Sequence, residues 1–300
     1  MNMKVDLCGV TLNNPVMTAS GTFGSGAEYA EFVDLNKLGA VVTKGVANVP
    51  WPGNPTPRVA EVYGGMLNAV GLQNPGIDLF VERDIPFLKQ FDTKIMVNVC
   101  GHSTEEYIEV VERLSDQPVD LLEINISCPN VKEGGIAFGQ DPKAVEAITK
   151  EMKKHVAQPV IMKLSPNVTD ITEMARAAEA GGADGLSLIN TITGMKIDIN
   201  RQKFVLANKT GGMSGPAIHP VAVRMVYQVA QAVSLPIIGM GGIATAEDAL
   251  EFIMAGATAV SVGTANFFNP YATVEIAEGI EKFMEAQHVE DIHELIGAVK

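Results

Sequence analysis

Short apolar runs alternate with longer stretches of helical periodicity along most of the chain. Runs such as Lys94–Val99 and Leu121–Ile126 contain little polar alternation, which indicates parallel strands that are buried on both faces. The predicted strands are Val16–Ala19, Ala40–Thr43, Lys94–Val99, Leu121–Ile126, Val160–Leu164, Gly185–Ile189, Ile237–Met240 and Ala259–Val262.

Helical patterns fill the segments between these runs. The predicted helices are Thr104–Leu114, Pro142–Lys153, Asp170–Ala180, Pro220–Ala232 and Ala246–Met254. Ser103 or Thr104 with Glu106 can cap the first of them, and Asp170 followed by Glu173 has the spacing of a capping box. Eight strand–helix repeats predict one domain over residues 1–300, an α/β fold of the (β/α)₈ TIM-barrel type, with an open doubly wound sheet as the alternative.

Three segments do not fit a bare strand–helix repeat. Val5–Leu12 predicts an N-terminal β-hairpin that could plug the bottom of the barrel. Residues 45–93 and 191–219, which follow the second and sixth predicted strands, are too long for simple loops. We therefore expect these two insertions to carry structure of their own or to cover the active site.

Composition excludes several classes of function. A net charge of −13 argues against nucleic-acid binding and against docking on an acidic membrane. No segment approaches the length of a membrane span. The three cysteines are widely spaced and form no CxxC pair, which argues against a disulfide framework and against a complete cysteine-ligated metal or iron–sulfur site. We expect a cytoplasmic protein.

Polar residues and glycines follow the carboxyl ends of all eight predicted strands, where a barrel enzyme places its reactive groups. Gly241 and Gly242 follow the seventh strand, and Gly263 and Thr264 follow the eighth. Barrels often bind a phosphate between these two loops. The sequence thus predicts a phosphate site, although tight turns could also explain the glycines.

Two lysines, Lys44 and Lys163, end the second and fifth predicted strands in an otherwise apolar setting. A lysine in such a place is rarely buried unless it pairs with an anion or takes part in chemistry. An internal salt bridge or a Schiff-base lysine would be alternatives. If a flavin binds, Lys163 could offset the negative charge at the N1/C2-carbonyl edge of the reduced ring.

Four asparagines point to a small, planar, amide-rich ligand, because each side chain both donates and accepts hydrogen bonds without carrying a charge. They are Asn68, Asn98, Asn125 and Asn190. Turn formation is the alternative, and it stays open for Asn190.

Cys128 differs from the other two cysteines. Cys8 and Cys100 are expected to be small buried hydrophobes. Cys128 follows the fourth strand, between Ser127 and Pro129, in a loop that runs on through two glycines. A thiol titrates close enough to neutral pH to accept a proton when its surroundings help. These neighbours favour a functional role over a structural one.

Three motifs together resemble the class 1 dihydroorotate dehydrogenases: Asn125-Ile-Ser-Cys-Pro-Asn130, Asn68-Ala-Val-Gly-Leu-Gln-Asn-Pro-Gly76 and Gly239-Met-Gly-Gly-Ile243. The likeness runs from about Val5 to about Phe268. Cysteine rather than serine at position 128 is similar to class 1 and not to the membrane-linked class 2. The segments Ala19–Gly24 and Gln73–Gly76 resemble the NAD-linked B type rather than the fumarate-linked A type.

The resemblance implies a role for each matching position. Cys128 would be the base that takes the C5 proton of dihydroorotate, while N5 of FMN takes the C6 hydride. Substrate contacts would come from Lys44, Asn68, Ala69, Val70, Gly71, Leu72, Asn125, Asn190 and Thr191. FMN would be held by Ser20, Lys44, Gly45, Asn98, Asn125, Lys163, Ile189, Gly215, Gly241, Gly242, Gly263 and Thr264.

The resemblance also implies a partner. B-type enzymes pass electrons to a second subunit that carries FAD and a [2Fe–2S] cluster and reduces NAD, in a heterotetramer built on a homodimer core. This chain has no GxGxxG motif opening a βαβ unit, so its own chemistry is expected to stop at reduced FMN. The alternatives are an A-type enzyme, another FMN barrel acting on dihydropyrimidines or dihydrouridine, and a flavin-free phosphate-binding lyase.

Overall fold

A computed structural model describes residues 1–127 and 138–299 of the chain. Its strands, in chain order, are β1 Val5–Leu7, β2 Val10–Leu12, β3 Val16–Thr18, β4 Ala40–Val42, β5 Val59–Val62, β6 Gly65–Asn68, β7 Lys94–Val99, β8 Leu121–Asn125, β9 Val160–Lys163, β10 Gly185–Leu188, β11 Ile192–Met195, β12 Ile197–Asp198, β13 Lys203–Phe204, β14 Thr210–Ser214, β15 Ile237–Met240 and β16 Ala259–Val262.

Eight of these strands close into a parallel barrel in the order β10-β15-β16-β3-β4-β7-β8-β9. All eight predicted strands are therefore confirmed, and the closed barrel rather than the open sheet is the architecture. Closure depends on the pairing of β16 with β3, which aligns Val260 with Val16 and Val262 with Thr18. Nearly every residue in these strands is buried, because side chains pack into the barrel interior on one face and against helices on the other.

The α-helices are α1 Ile77–Leu79, α2 Ile85–Leu88, α3 Thr104–Ser115, α4 Pro142–His155, α5 Ile171–Ala180, α6 His219–Ala230, α7 Ala246–Met254, α8 Ala265–Phe268 and α9 Ala272–Gln287, with a π-turn, Phe80–Asp84, joining the first two. The five predicted helices correspond to α3–α7. Between β3 and β4 the chain instead forms two 3₁₀ turns, Tyr29–Glu31 and Leu35–Lys37.

Helix starts follow the predicted signals with one difference. The Ser103 hydroxyl accepts from the N–H of Glu106 and so caps α3. The Asp170 carboxylate caps α5, but it accepts from Thr172, two residues on, instead of forming the predicted box with Glu173. The reciprocal capping box occurs at α7, between Thr245 and Asp248.

The two long insertions meet in one antiparallel sheet with the order β11-β14-β6-β5. The register across the insertions pairs Gly212 with Asn68 and Met213 with Leu67. A small separate core of Ala60, Leu67, Ala69 and Leu206 supports this sheet. The expectation that both insertions carry structure is confirmed. Their mutual pairing was not predicted, because it joins residues about 140 positions apart.

The N-terminal hairpin, β1–β2, lies against the amino end of the barrel. Its tip residue Cys8 donates from Sγ to the carbonyl oxygen of Asp184 at 3.2 Å, and Asp184 immediately precedes β10. Leu7 and Leu12 are fully buried. None of the described helices combines the length and the apolar character that crossing a bilayer requires.

Candidate active site

A cavity of about 1150 Å³ opens at the carboxyl end of the barrel, where strand ends and the insertion sheet share its wall. It collects every predicted substrate and cofactor position that the structure describes: Ser20, Lys44, Gly45, Asn68, Ala69, Val70, Gly71, Leu72, Asn98, Asn125, Lys163, Ile189, Asn190, Thr191, Gly215, Gly241, Gly242, Gly263 and Thr264. Cys128, with the loop that follows it, lies outside the described residues. Its chain neighbour Ser127 lines the cavity.

Glycines shape one end of this cavity. Gly215, Gly241 and Gly242 all have positive φ values, of 107°, 133° and 76°. A Cβ at Gly242 would lie 2.8 Å from the Gly215 carbonyl oxygen, and one at Gly241 would lie 2.6 Å from the Ala222 Cβ. Only glycine fits both the backbone conformation and the space at these positions. The turn after β15 can therefore bring its backbone close to a ligand.

Gly263 is different from these three. A Cβ there would meet the nearest described atom, the Ala19 Cβ, at an ordinary 3.5 Å. The protein itself therefore leaves room for a side chain at position 263, which lines the cavity. Thr264 beside it donates to the Ser214 hydroxyl at 2.7 Å, linking the eighth barrel strand to the insertion sheet.

Two serine hydroxyls on the cavity wall have unused hydrogen-bonding capacity. The Oγ atoms of Ser127 and Ser261 are buried and have no hydrogen-bond partner among the described residues. Buried hydroxyls are normally satisfied by protein, water or ligand. Together with the glycine turns and two lysines, these orphan donors fit a cavity that holds a polar, phosphate-bearing ligand.

Lys163 is buried, with 4% of its surface exposed, and its Nζ faces two partners. It donates to the Ser20 hydroxyl at 3.1 Å and lies 3.5 Å from Oε2 of Glu123. The predicted alternative of an internal salt bridge is thus present, and it coexists with the position of Lys163 on the cavity wall.

Lys44 is partly buried on the same wall, with its Nζ near Gly21. Burial lowers the pKa of the Lys44 ammonium below its usual value, and the nearby charges of Lys163 and Arg58 lower it further, whereas Cys100 acts in the opposite direction. Three cationic side chains therefore act on this region of a strongly anionic protein, which favours an anionic ligand.

Three of the predicted asparagines are joined side chain to side chain. Asn190 donates to Asn125 at 3.4 Å, Asn125 donates to Asn98 at 3.5 Å, and Asn98 donates to Glu123 at 2.6 Å. The fourth, Asn68, stands on β6 across the cavity. The asparagines of the barrel thus form one connected set instead of separate turn residues.

Sequence reasoning missed Glu123 and the aromatic pair of Trp51 and His102. Glu123 is 1% exposed in the middle of β8. An acidic residue within the apolar run of that strand was a visible signal, since a buried carboxylate needs partners. Trp51 and His102, whose rings stack at 3.9 Å, line the cavity from two different loops, and no local pattern marks them.

Neither described cysteine lines the cavity. Cys100 is fully buried, as predicted. Cys8 is only half-buried at the opposite end of the barrel, so its prediction as a buried hydrophobe is corrected: its thiol makes a hydrogen bond at the edge of the hairpin.

Comparison with known proteins gives a consistent result. The sequence profile of the dihydroorotate dehydrogenase family matches residues 2–284. Proteins named dihydroorotate dehydrogenase B (NAD(+)), catalytic subunit, are 75% identical in Lachnoclostridium phytofermentans, 66% in Alkaliphilus metalliredigens and 56% in Geobacter sulfurreducens. Each alignment covers all of this chain and 100%, 99% and 98% of the respective relative.

A solved structure supports the fold. The crystal structure of a dihydroorotate dehydrogenase from Eimeria tenella in complex with ferulenol superposes with a TM-score of 0.81 at 22% identity, covering 99% of this chain and 88% of that one. The family resemblance predicted from the motifs is confirmed, and the chain belongs to the dihydroorotate dehydrogenase family.

Proposed function

We propose that this chain is the catalytic subunit of an FMN-dependent enzyme that oxidises dihydroorotate to orotate in pyrimidine biosynthesis. One observation carries the proposal: positions scattered from Ser20 to Thr264 line a single cavity at the carboxyl end of the barrel. Relatives that match the chain end to end bear the name of this activity.

FMN, when bound, would supply the hydride acceptor. The phosphate would lie at the glycine turns, held by Gly241, Gly242, Gly263 and Thr264, where the backbone can approach an anion. Lys163 would place its ammonium at the N1/C2-carbonyl edge of the flavin. The remaining contacts would come from Ser20, Lys44, Gly45, Asn98, Asn125, Ile189 and Gly215, all on the same cavity wall.

The substrate is a carboxylate whose ring carries two amide groups. Lys44 can attract its carboxylate, and Asn68, Asn125 and Asn190 can pair with its amides from opposite sides of the cavity. Thr191 and the segment from Ala69 to Leu72 complete the proposed contacts. Holding a bound reactant in a fixed orientation can supply a large part of the barrier, about 7–11 kcal/mol at the limit.

Cys128 is proposed as the base that removes the C5 proton. It directly follows Ser127, which lines the cavity, and neither Cys8 nor Cys100 does. The Ser127 N–H donates to the Asn125 side chain at 3.3 Å, so the chain entering Cys128 is tied to the asparagine set. A positioned base is worth roughly 10²–10⁴-fold in rate.

The name of the relatives, a catalytic subunit, supports a separate electron-transfer subunit for this chain. We propose that this partner carries FAD and a [2Fe–2S] cluster and reduces NAD. We further propose that it joins a homodimer of this chain in a heterotetramer in the cytoplasm. An A-type enzyme, which would use fumarate, is the second candidate.

The visible spectrum tests the proposal most directly. Purified chain loaded with FMN should be yellow and should bleach when dihydroorotate is added without oxygen. The isolated chain should then reduce an artificial dye but not NAD, and the native complex should contain a second polypeptide. Rapid turnover with fumarate would instead indicate the A type. Protein that stays colourless after addition of FMN would favour the flavin-free phosphate-binding barrel.

A further inference from the structure

Glu123 is buried behind two residues of the cavity wall. It does not line the cavity, but Asn98 and Lys163, two of its partners, do. Its Oε2 accepts from the Asn98 amide at 2.6 Å and lies 3.5 Å from the Lys163 Nζ, while its Oε1 accepts from the Ser187 hydroxyl at 2.7 Å. Strands β7, β9 and β10 each bring one of these partners to the single carboxylate on β8.

The carboxylate fixes the direction of the Asn98 amide. A carboxylate can only accept, so Asn98 must turn its NH₂ group down toward Glu123 and its oxygen up toward Asn125. Asn125 then presents its own oxygen to Asn190. The carboxylate therefore fixes the Asn98 amide, while the Ser127 and Thr191 N–H groups, which donate to the oxygens of Asn125 and Asn190, orient the other two amides in the same sense.

The same carboxylate is the counter-charge of Lys163. The side chains of the pair are 1% and 5% exposed, so water does little to screen either one. An isolated ammonium in such a place is costly, and losing its proton would relieve the cost. Among the described residues, Ser20, the other hydrogen-bond partner of Lys163, is neutral, and the nearby charge of Lys44 has the same sign as that of Lys163.

The geometry points to Glu123 as a positioning residue for the flavin site: it keeps an ammonium at Lys163 and a fixed amide direction at Asn98, and through them it sets the flavin's affinity and reduction potential. This inference rests on the proposed function, because it assigns the cavity to FMN. Glu123 itself touches neither the cavity nor the reacting atoms.

Glu123→Gln separates the two effects. Glutamine keeps the shape and can still accept from Asn98, while its NH₂ group can donate to Ser187. The charge alone is lost, so Lys163 should be neutral beside oxidised flavin. Two-electron reduction puts negative charge next to Lys163, which should then take up a proton from solvent. The variant should therefore consume one more proton per two electrons than the unchanged protein.

The measurement is the FMN midpoint potential between pH 6 and 9, with the apoprotein's dissociation constant for FMN as a second readout. In Glu123→Gln, the midpoint potential should fall more steeply with rising pH, by the amount that one additional proton per two electrons adds to the slope. FMN should bind roughly tenfold more weakly, as expected for a lost charged hydrogen bond. Ser187→Ala is the matched control, because it removes a hydrogen bond to the Glu123 carboxylate but leaves the charge of that carboxylate. The pH dependence of the potential in Ser187→Ala should therefore equal that in the unchanged protein.

Glu123→Asp should rescue the slope, because it restores a carboxylate in the same layer. A Glu123→Gln slope and FMN affinity equal to those of the unchanged protein would overturn the inference. So would an equal steepening in Ser187→Ala or Glu123→Asp, since packing rather than charge would then be responsible. If the unchanged apoprotein failed to bind FMN, the proposed function would be at fault instead.

Loss of folding in Glu123→Gln is also informative when it is compared with the double variant Glu123→Gln, Lys163→Gln. If the double variant folds and the single one does not, the unpaired Lys163 ammonium is the cause, which supports the coupling. If both fail to fold, Glu123 serves the fold independently of Lys163, and the assignment is wrong.

Discussion

The two ends of the barrel have similar residues: each has a lysine–carboxylate pair, and each has a cysteine in a chain segment next to it. Only the carboxyl end, however, forms a candidate active site. At the amino end, the Lys153 Nζ and the Asp184 Oδ2 lie 2.6 Å apart, and the two side chains are each about one-third exposed. At the carboxyl end, Lys163 and Glu123 are almost wholly buried, and Lys163 lines a large cavity. Both pairs join a lysine to a carboxylate, so the main difference lies in burial and in access to a cavity.

Cys8 and Cys128 also differ between the two ends of the barrel. Burial, with Asp184 and Asp6 adding to it, raises the pKa of the Cys8 thiol to about 12. Cys8 therefore stays protonated at neutral pH and cannot act as a base there. Cys128 follows a strand whose carboxyl end lines the cavity. Cys8 and Lys153 at the amino end therefore serve as controls for changes to Cys128 and Lys163 at the carboxyl end.

Replacement of Cys128 should have the largest effect. Cys128→Ala should bind FMN and orotate but reduce the flavin about 10²–10⁴-fold more slowly, because the base is lost. Cys128→Ser should keep a little activity with a higher pH optimum. Anaerobic stopped-flow absorbance measures both, with Cys8→Ala as the control that keeps the full rate. Reduction at the unchanged rate in Cys128→Ala would mean that another residue is the base.

Gly242 and Gly263 test the phosphate site in different ways. Gly242→Val should weaken FMN binding by roughly 100-fold or more, because a side chain there is strained and meets backbone. That result alone would not locate the phosphate. Gly263→Ala is the more specific test of the phosphate position, because the protein itself leaves room for the added methyl group. A roughly tenfold loss of FMN affinity, about 1.4 kcal/mol, would then reflect the ligand.

Gly279→Ala is the matched control for these variants, because Gly279 lies in α9, away from the cavity lining, and a Cβ there would meet Ala246 Cβ at 2.5 Å. It should lower stability without changing FMN affinity in the folded protein. Full retention of FMN by Gly263→Ala would move the phosphate away from this loop.

Lys163→Ala should lower the FMN reduction potential by roughly 30–60 mV, the equivalent of about 1.5–3 kcal/mol for a lost charged hydrogen bond. Lys153→Ala, at the amino end, should leave the potential unchanged. Redox titration with reference dyes measures both. A borohydride-stable adduct on Lys163 or Lys44 would instead support the Schiff-base alternative.

Much of the fold and the site could be predicted because the apolar residues that mark each barrel strand are contiguous in the sequence. The run at Leu121–Asn125 marks both the strand and, at its end, the asparagine of the site. Pairing between the insertions could not be predicted, since the register of Asn68 with Gly212 depends on contacts across the folded barrel. Glu123 was visible as an acidic residue in an apolar strand, but its partners come from three other strands and appear only when the barrel closes.

The smallest expected effect concerns Cys8 and alkaline pH. Folding raises the pKa of this thiol from an ordinary 9.0 to about 12. Below pH 9 the thiol is protonated in both the folded and the unfolded chain, so its full contribution to the free energy of unfolding is present. Above pH 9 the unfolded chain loses the proton first, and stability should fall as the pH rises toward 12. At pH 10.5 the loss should be about 1 kcal/mol after allowance for partial exposure of the site.

Urea unfolding at pH 7.5 and 10.5 measures this loss when the protein is compared with Cys8→Ala, which lacks the titrating group but shares all other alkaline titrations. The difference in stability between the two proteins should shrink at pH 10.5. An equal difference at both values would mean that the thiol is not held protonated by the hairpin. FMN affinity at neutral pH should be the same in both proteins, because the amino end of the barrel does not line the cavity.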